Sequence, residues 1–226
     1  FWPKTGALLS RYDFLFIAAL MLQMLLILLK LERWEEVKVI FIFHLVGTCM
    51  EIFKIHVGSW AYPGDGLFKI GGVPLFTGFM YACIGSYIAR ATRLFDMRYS
   101  HYPPIWATWM LAGLAYINFF SHHFLPDIRL GLFVASVLMF WRTRVWFTPF
   151  NAPRWMPLLL GFVLVSLFIW LAENVGTFTG TWLYPHQNSG WHLVPLTKMG
   201  AWYLLMLLSF VLVGLVHNPK PKTADT

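Results

Sequence analysis

Two glutamates are the residues best placed to do chemistry. Glu51 and Glu173 each lie in an apolar run, and each is followed by the same companions. Glu51 leads into Gly58-Ser59-Trp60-Ala61-Tyr62-Pro63, and Glu173 into Gly180-Thr181-Trp182-Leu183-Tyr184-Pro185. The shared pattern, E-x6-G-[ST]-W-x-Y-P, recurs at a constant offset of 122 residues. Val73-Pro74-Leu75 and Val194-Pro195-Leu196 then open the next apolar run in both copies. An acid inside an apolar segment costs a few kcal/mol on insertion, so it is retained for a function or for a polar partner. A carboxyl in a low-dielectric pocket is readily kept protonated and can act as a general acid. The faces of Trp60, Tyr62, Trp182 and Tyr184 can stabilise a developing carbocation. An acid beside an aromatic cage suits protonation of an isoprenoid alkene, followed by addition of water or by ring closure. A structural reading stands beside this one. The acids would pair with Lys54 or Arg129, or accept from a Trp indole. The glycines would permit tight turns, and the aromatics would form an interfacial belt.

A second polar cluster is Asn118-Phe-Phe-Ser121-His122-His123-Phe-Leu-Pro126-Asp127. Asn118 and His122 are four residues apart and share a helix face. His44 lies seven residues before Glu51, again on a shared face. Asn118, His122, His123, Asp127 and His44 are therefore candidate lining of the same pocket. A metal held by these histidines and the glutamates is the alternative. No H-E-x-x-H or paired histidine box is present, so no cofactor or metal is expected. Cys49 and Cys83 sit in apolar runs and read as buried thiols.

The elements that carry these residues follow from composition. The chain has 226 residues, 58% of them hydrophobic and 12% charged. A soluble domain carries about twice that charge, so an ordinary soluble enzyme is excluded. Seven apolar segments are expected as membrane helices, at roughly 13–30, 38–55, 74–92, 104–121, 127–145, 155–173 and 194–216. The expected fold is an all-α integral membrane protein. It is a seven-helix bundle with a parallel internal repeat, spans two and three matching spans six and seven. Residues 1–216 form the membrane domain, and 217–226 a polar, disordered tail. Of the 17 Lys and Arg residues, 11 fall on one side of these spans and 6, Lys4 among them, on the other. The positive-inside rule then puts the N-terminus outside and the C-terminus in the cytoplasm. The net charge of +7 is spent on this asymmetry, and no nucleic-acid partner is implied.

Three stretches carry a family resemblance: Glu51…Gly58-Ser-Trp-Ala-Tyr-Pro…Gly72-Val-Pro74, Arg93-Leu-Phe-Asp-Met-Arg98, and Asn118-Phe-Phe-Ser-His-His123…Pro126-Asp127. Together they resemble the bacterial YoaT-like membrane family, domain of unknown function 817, over nearly the whole chain. That resemblance implies a multi-pass protein of the bacterial cytoplasmic membrane and no particular activity. The order acid, Gly, aromatic-x-Tyr, Gly-Val-Pro is also similar to the membrane carotenoid hydratases and lycopene cyclases. It differs from the cyclases in having no Pro-x-Glu-Glu motif. In those enzymes membrane carboxylates are held to protonate a polyene end, which implies that role for Glu51 and Glu173. The function expected is a lipid-phase enzyme acting on an isoprenoid or similar apolar substrate, with membrane lipids and that substrate as its partners. A proton-coupled transporter or small-ligand binder is one alternative. A His/carboxylate metal-dependent membrane enzyme is the other.

Overall fold

A computed structural model describes residues 9–222; Lys4 and the last four residues of the tail lie outside the described residues. Seven α-helices dominate: α1 Arg11–Leu28, α2 Trp34–His56, α3 Phe76–Leu94, α4 Ile105–Ser121, α5 Arg129–Phe140, α6 Leu158–Phe178 and α7 Thr197–Val213. Each falls within a few residues of an expected segment. Three of them, α1, α2 and α6, are long and apolar enough to cross a membrane. The shorter apolar helices are α4, α5 and α7.

The chain divides into two compact units. The first comprises residues 1–86 and 171–194, and so holds α1, α2, the start of α3 and the end of α6. It also contains a small hairpin of β1 Lys69–Ile70 and β2 Val73–Pro74. Helix α1 is started by Ser10, whose hydroxyl accepts from the Asp13 amide. The Asp13 carboxylate accepts from the Leu67 and Phe68 amides, tying the segment that enters the hairpin to the helix start. Tyr12 is the centre of the aromatic core here. It stacks on Phe76 at 5.7 Å and meets Tyr62 edge-on at 5.9 Å.

The second unit comprises residues 87–170 and 195–226. Here α4 packs against α5 and α7. Strands β3 Arg98–Ser100, β4 Arg144–Phe147 and β5 Arg154–Pro157 form an antiparallel sheet in the order β3-β4-β5. The sheet corrects one expected segment. The fifth helix stops at Phe140 rather than near 145, because Arg144–Phe147 is taken up as the middle strand. A second correction concerns the tail. The free edge of β3 holds it: Tyr99 N donates to Lys220 O (2.8 Å) and Lys222 N to Tyr99 O (2.9 Å). Residues 220–222 are therefore ordered against the sheet instead of disordered. A third concerns the cysteines. Cys49 and Cys83 are both exposed, because they lie on the outward faces of α2 and α3.

Candidate functional site

The site begins with how two helices end. Helix α2 closes with Val57 N donating to Phe53 O, Gly58 N to Ile55 O and Ser59 N to Lys54 O. Helix α6 closes with Thr179 N to Val175 O, Gly180 N to Thr177 O and Thr181 N to Gly176 O. The two ends share every bond at an offset of 122 residues. The crossed pair of bonds at each end is a glycine-capped stop that needs a left-handed residue. Gly58 and Gly180 supply it, with φ of +70° and +67°. The chains then turn back toward each other. Ala61 and Leu183, also 122 apart, exchange both backbone hydrogen bonds at 3.0 Å.

This return brings the aromatics onto the acids. Trp60 Nε1 and Tyr62 Oη both donate to Glu51 Oε2 at 2.9 Å. Tyr81 Oη, from α3, donates to Glu51 Oε1 at 2.8 Å. Tyr184 Oη donates to Glu173 Oε1. Trp60 meets the Tyr184 ring edge-on at 6.2 Å, so the first turn touches the second. Both carboxylates are buried, at 3% exposure each, whereas Trp60 and Trp182 are half-buried. Burial first, and then the neighbouring carboxylate, push the Tyr62 and Tyr184 phenols above their ordinary range. Both phenols therefore stay protonated and remain donors. The two acids are linked through their donors: Trp60, bonded to Glu51, meets the ring of Tyr184, which is bonded to Glu173.

Close packing of α2 on α3 sets the position of Tyr81. A Cβ at Gly85 would meet the Phe43 ring, and one at Gly47 would meet Tyr81. Phe43 with Gly85 and Gly47 with Tyr81 define an antiparallel register. One turn further along the same faces, it brings Thr77 level with Glu51. Thr77 is fully buried, and its hydroxyl has no hydrogen-bond partner among the described residues. From α1, Tyr12 Oη donates to Thr181 O at 2.9 Å and accepts from Gly64 N at 3.3 Å. Arg11 binds the second turn through Thr179 O (2.7 Å) and Thr181 Oγ1 (2.6 Å).

Among the expected site residues, Glu51, Glu173, Trp60, Tyr62 and Tyr184 come together in this cluster. Trp182 packs beside it, against the Tyr12–Tyr62–Phe76 core and over Gly176. His44 packs its ring edge-on against Phe79 at 4.4 Å and lies against Gly78. Asn118, His122, His123 and Asp127 belong to the second unit. There Asn118 Nδ2 donates to Asp127 Oδ1 (3.1 Å), and Ile128 N donates to Asn118 Oδ1 (3.2 Å). His122 Nδ1 lies 2.7 Å from Asn118 O, and the His122 and His123 rings are 4.2 Å apart. Asp127 is ion-paired with Arg129 at 2.5 Å, which holds its carboxyl well below the usual carboxylate range. That cluster closes the turn from α4 to α5. Among the described residues, no group of three or more His, Cys, Asp or Glu is arranged to hold a metal ion.

Sequence reasoning missed Tyr81, Thr77, Tyr12 and Arg11. One clue was present for Tyr81: Gly78 and Tyr81 recur at Gly200 and Tyr203, again 122 residues on. The mates have diverged in partner, since Tyr203 Oη bonds Ser136 Oγ at 2.7 Å.

A family model described as "Protein of unknown function (DUF817)" matches residues 1–210. "Uncharacterized protein YoaT" of Bacillus subtilis (strain 168) is 43% identical over 215 residues, covering 95% of this chain and 81% of that protein. No solved structure matches significantly.

Proposed function

The chain belongs to the DUF817 family, and from that premise we propose that it is a membrane-embedded acid/base enzyme whose working groups are Glu51 and Glu173. In this reading all seven helices form one bundle in the cytoplasmic membrane. The N-terminus is outside and the C-terminus cytoplasmic, and the segments around the two acids are copies of one ancestral unit. Matching helix ends and the reciprocal Ala61–Leu183 bridge support the duplication. The observation that carries the function is a pair of buried carboxyls, each accepting from aromatic donors, with a donor to Glu51 (Trp60) against the donor to Glu173 (Tyr184).

The chemistry follows from the parts. One carboxyl delivers its proton to a terminal alkene carbon of an isoprenoid-type substrate. The π electron pair forms the new C–H bond and leaves a tertiary cation on the neighbouring carbon. The half-buried faces of Trp60 and Trp182 stabilise that cation through their quadrupoles. Either water adds and gives its proton to the other carboxylate, or a second alkene closes a ring and a proton is lost to that carboxylate. The Tyr62, Tyr81 and Tyr184 phenols hold the acids in place. Thr77, level with Glu51, is the group positioned to hold the oxygen of the attacking water.

Glu51→Gln and Glu173→Gln test the proposal. Both keep the shape and the hydrogen-bonding acceptor of the side chain and remove the transferable proton. Loss of turnover in both, with folding intact, is expected. Full activity in either refutes the pairing. Loss of folding in both, with no turnover by the native chain, would make the cluster a structural latch.

A further inference from the structure

A second site lies in the other unit, on the three-stranded sheet. Its strands connect the C-terminal ends of α3 and α5 to the N-terminal ends of α4 and α6, and the tail of α7 joins its edge. The whole sheet is thus built at one end of these helices. Pairing puts Arg98 and Trp155 on either side of Trp146, and Ser100 and Pro157 on either side of Arg144. These residues share one face. The alternate residues Tyr99 and Val145 are buried on the opposite face.

The outward face interleaves cations with indole rings. Arg144 lies over the Trp155 ring at 4.2 Å, and Lys222 over Trp146 at 5.0 Å. Just before the strand, Arg142 lies over Trp141 at 5.6 Å. Stretches 95–101, 141–157 and 217–222 hold six Lys and Arg residues against one acid, Asp96. Asp96 engages Arg98 at 3.0 Å and Lys220 at 3.8 Å, so most of the positive charge is left over. An arginine stacked on an indole keeps the N–H edge of its guanidinium open, in the planar geometry that phosphate oxygens accept.

We propose that this face binds the phosphate of anionic phospholipid headgroups in the membrane leaflet around the chain. The inference rests on the reading of the chain as membrane-embedded, and not on the chemistry of Glu51 and Glu173. Charge alone would suit any polyanion. The accompanying apolar exposure selects lipid: Trp141 is 67%, Trp155 46% and Phe150 88% exposed, beside the cations and at helix ends. Rings with one apolar and one polar side are at home where acyl chains meet headgroups. Basic residues there gain from the negative surface of a cytoplasmic leaflet.

The test uses the intact chain, reconstituted in bilayers of phosphatidylcholine with increasing phosphatidylglycerol. Bound lipid is read by native mass spectrometry after extraction. Retention of phosphatidylglycerol over phosphatidylcholine is expected at about tenfold. The variant Arg98→Gln/Arg144→Gln/Lys222→Gln is expected to abolish that preference, and Lys30→Gln/Lys38→Gln to leave it unchanged. Equal retention of the two lipids by the native chain overturns the proposal, whatever the variants do. So does an undiminished preference in the triple variant. Displacement of phosphatidylglycerol by millimolar inorganic phosphate, or by RNA, would show a small-anion or polyanion site and overturn it as well. Failure to insert into pure phosphatidylcholine bilayers would refute the membrane reading itself, separately from the headgroup preference.

Discussion

Replacing Gly47 by Ala probes the packing that aims Tyr81 at Glu51. Gly47 lies within α2, where Ala is normally the better residue by about 0.5–1 kcal/mol. A Cβ there would stand 2.6–2.9 Å from Cδ2, Cγ and Cβ of Tyr81. Carbon atoms rest at about 3.5–4.0 Å, so α3 must retreat by roughly 1 Å. The struck atoms include Tyr81 Cβ, next to the backbone, so a swing of the ring does not relieve the clash. Such overpacking costs about 1–3 kcal/mol. A shift of that size also opens the 2.8 Å bond from Tyr81 to Glu51, which adds about 1.5 kcal/mol for a buried charge-assisted bond. The net expected loss is about 2–4 kcal/mol after the gain in helix propensity. In a Tyr81→Gly background all the struck atoms are gone, and Gly47→Ala is expected to stabilise by about 0.5–1 kcal/mol. Denaturant unfolding of the four proteins in one detergent measures the coupling. Stabilisation by Gly47→Ala in the native background, or coupling near zero, would refute the register of α2 on α3. The alignment of Thr77 with Glu51 would fall with it.

Four other outcomes are expected. Gly58→Ala and Gly180→Ala force an L residue into left-handed backbone and should each cost about 1–2 kcal/mol in unfolding experiments, with no compensation from new contacts. Thr77→Val preserves volume and should leave stability unchanged or raised while lowering hydration rate; Thr77→Ser should restore the rate, and equal activity in Val and Ser variants would dismiss the hydroxyl. Asp127 has its folded pKa depressed by Arg129, so its contribution is fully present above the unfolded value near 4 and is lost as pH falls below it; melting at pH 3 and pH 6 should show a smaller acid loss in Asp127→Asn than in the native chain. Tyr62 and Tyr184 have raised folded values, so their contribution is full below about pH 10 and lost as pH rises above it; Tyr62→Phe/Tyr184→Phe should flatten the alkaline arm of the stability profile.

Much of this was legible in the sequence, for physical reasons. Long apolar runs broken by Pro and charge define helices, because no other backbone arrangement pairs its own polar groups there. The repeated E-x6-G-[ST]-W-x-Y-P pattern located the acids and the aromatics that meet them, since Gly at the helix stop dictates a return path. The sheet was not legible. Its strands are three or four residues long, and Arg144–Phe147 continues the apolar pattern of the helix before it. The tail escaped notice because edge pairing uses backbone groups, which composition does not reveal. Tyr81 and Tyr12 read as bulk among many aromatics. Only the close approach allowed by Gly47 and the bonds to Glu51 and Thr181 mark them out. The Asn118–Asp127 segment carries a local role that its residue types do not announce: Asn118 bonds Asp127 and the Ile128 amide across the turn from α4 to α5.

The central claim is that Glu51 and Glu173 pass a proton to carbon. The direct measurement is deuterium incorporation. Purified protein in bilayers containing an acyclic isoprenoid polyene is incubated in heavy water, and the extracted lipid is analysed by mass spectrometry. Deuterium on a terminal carbon registers protonation whether water adds or a ring closes. The account predicts carbon-bound deuterium with the native chain, and none with Glu51→Gln or Glu173→Gln of matched folding. Equal incorporation by the native chain and both variants, or none by the native chain across acyclic isoprenoids of different length, would contradict it.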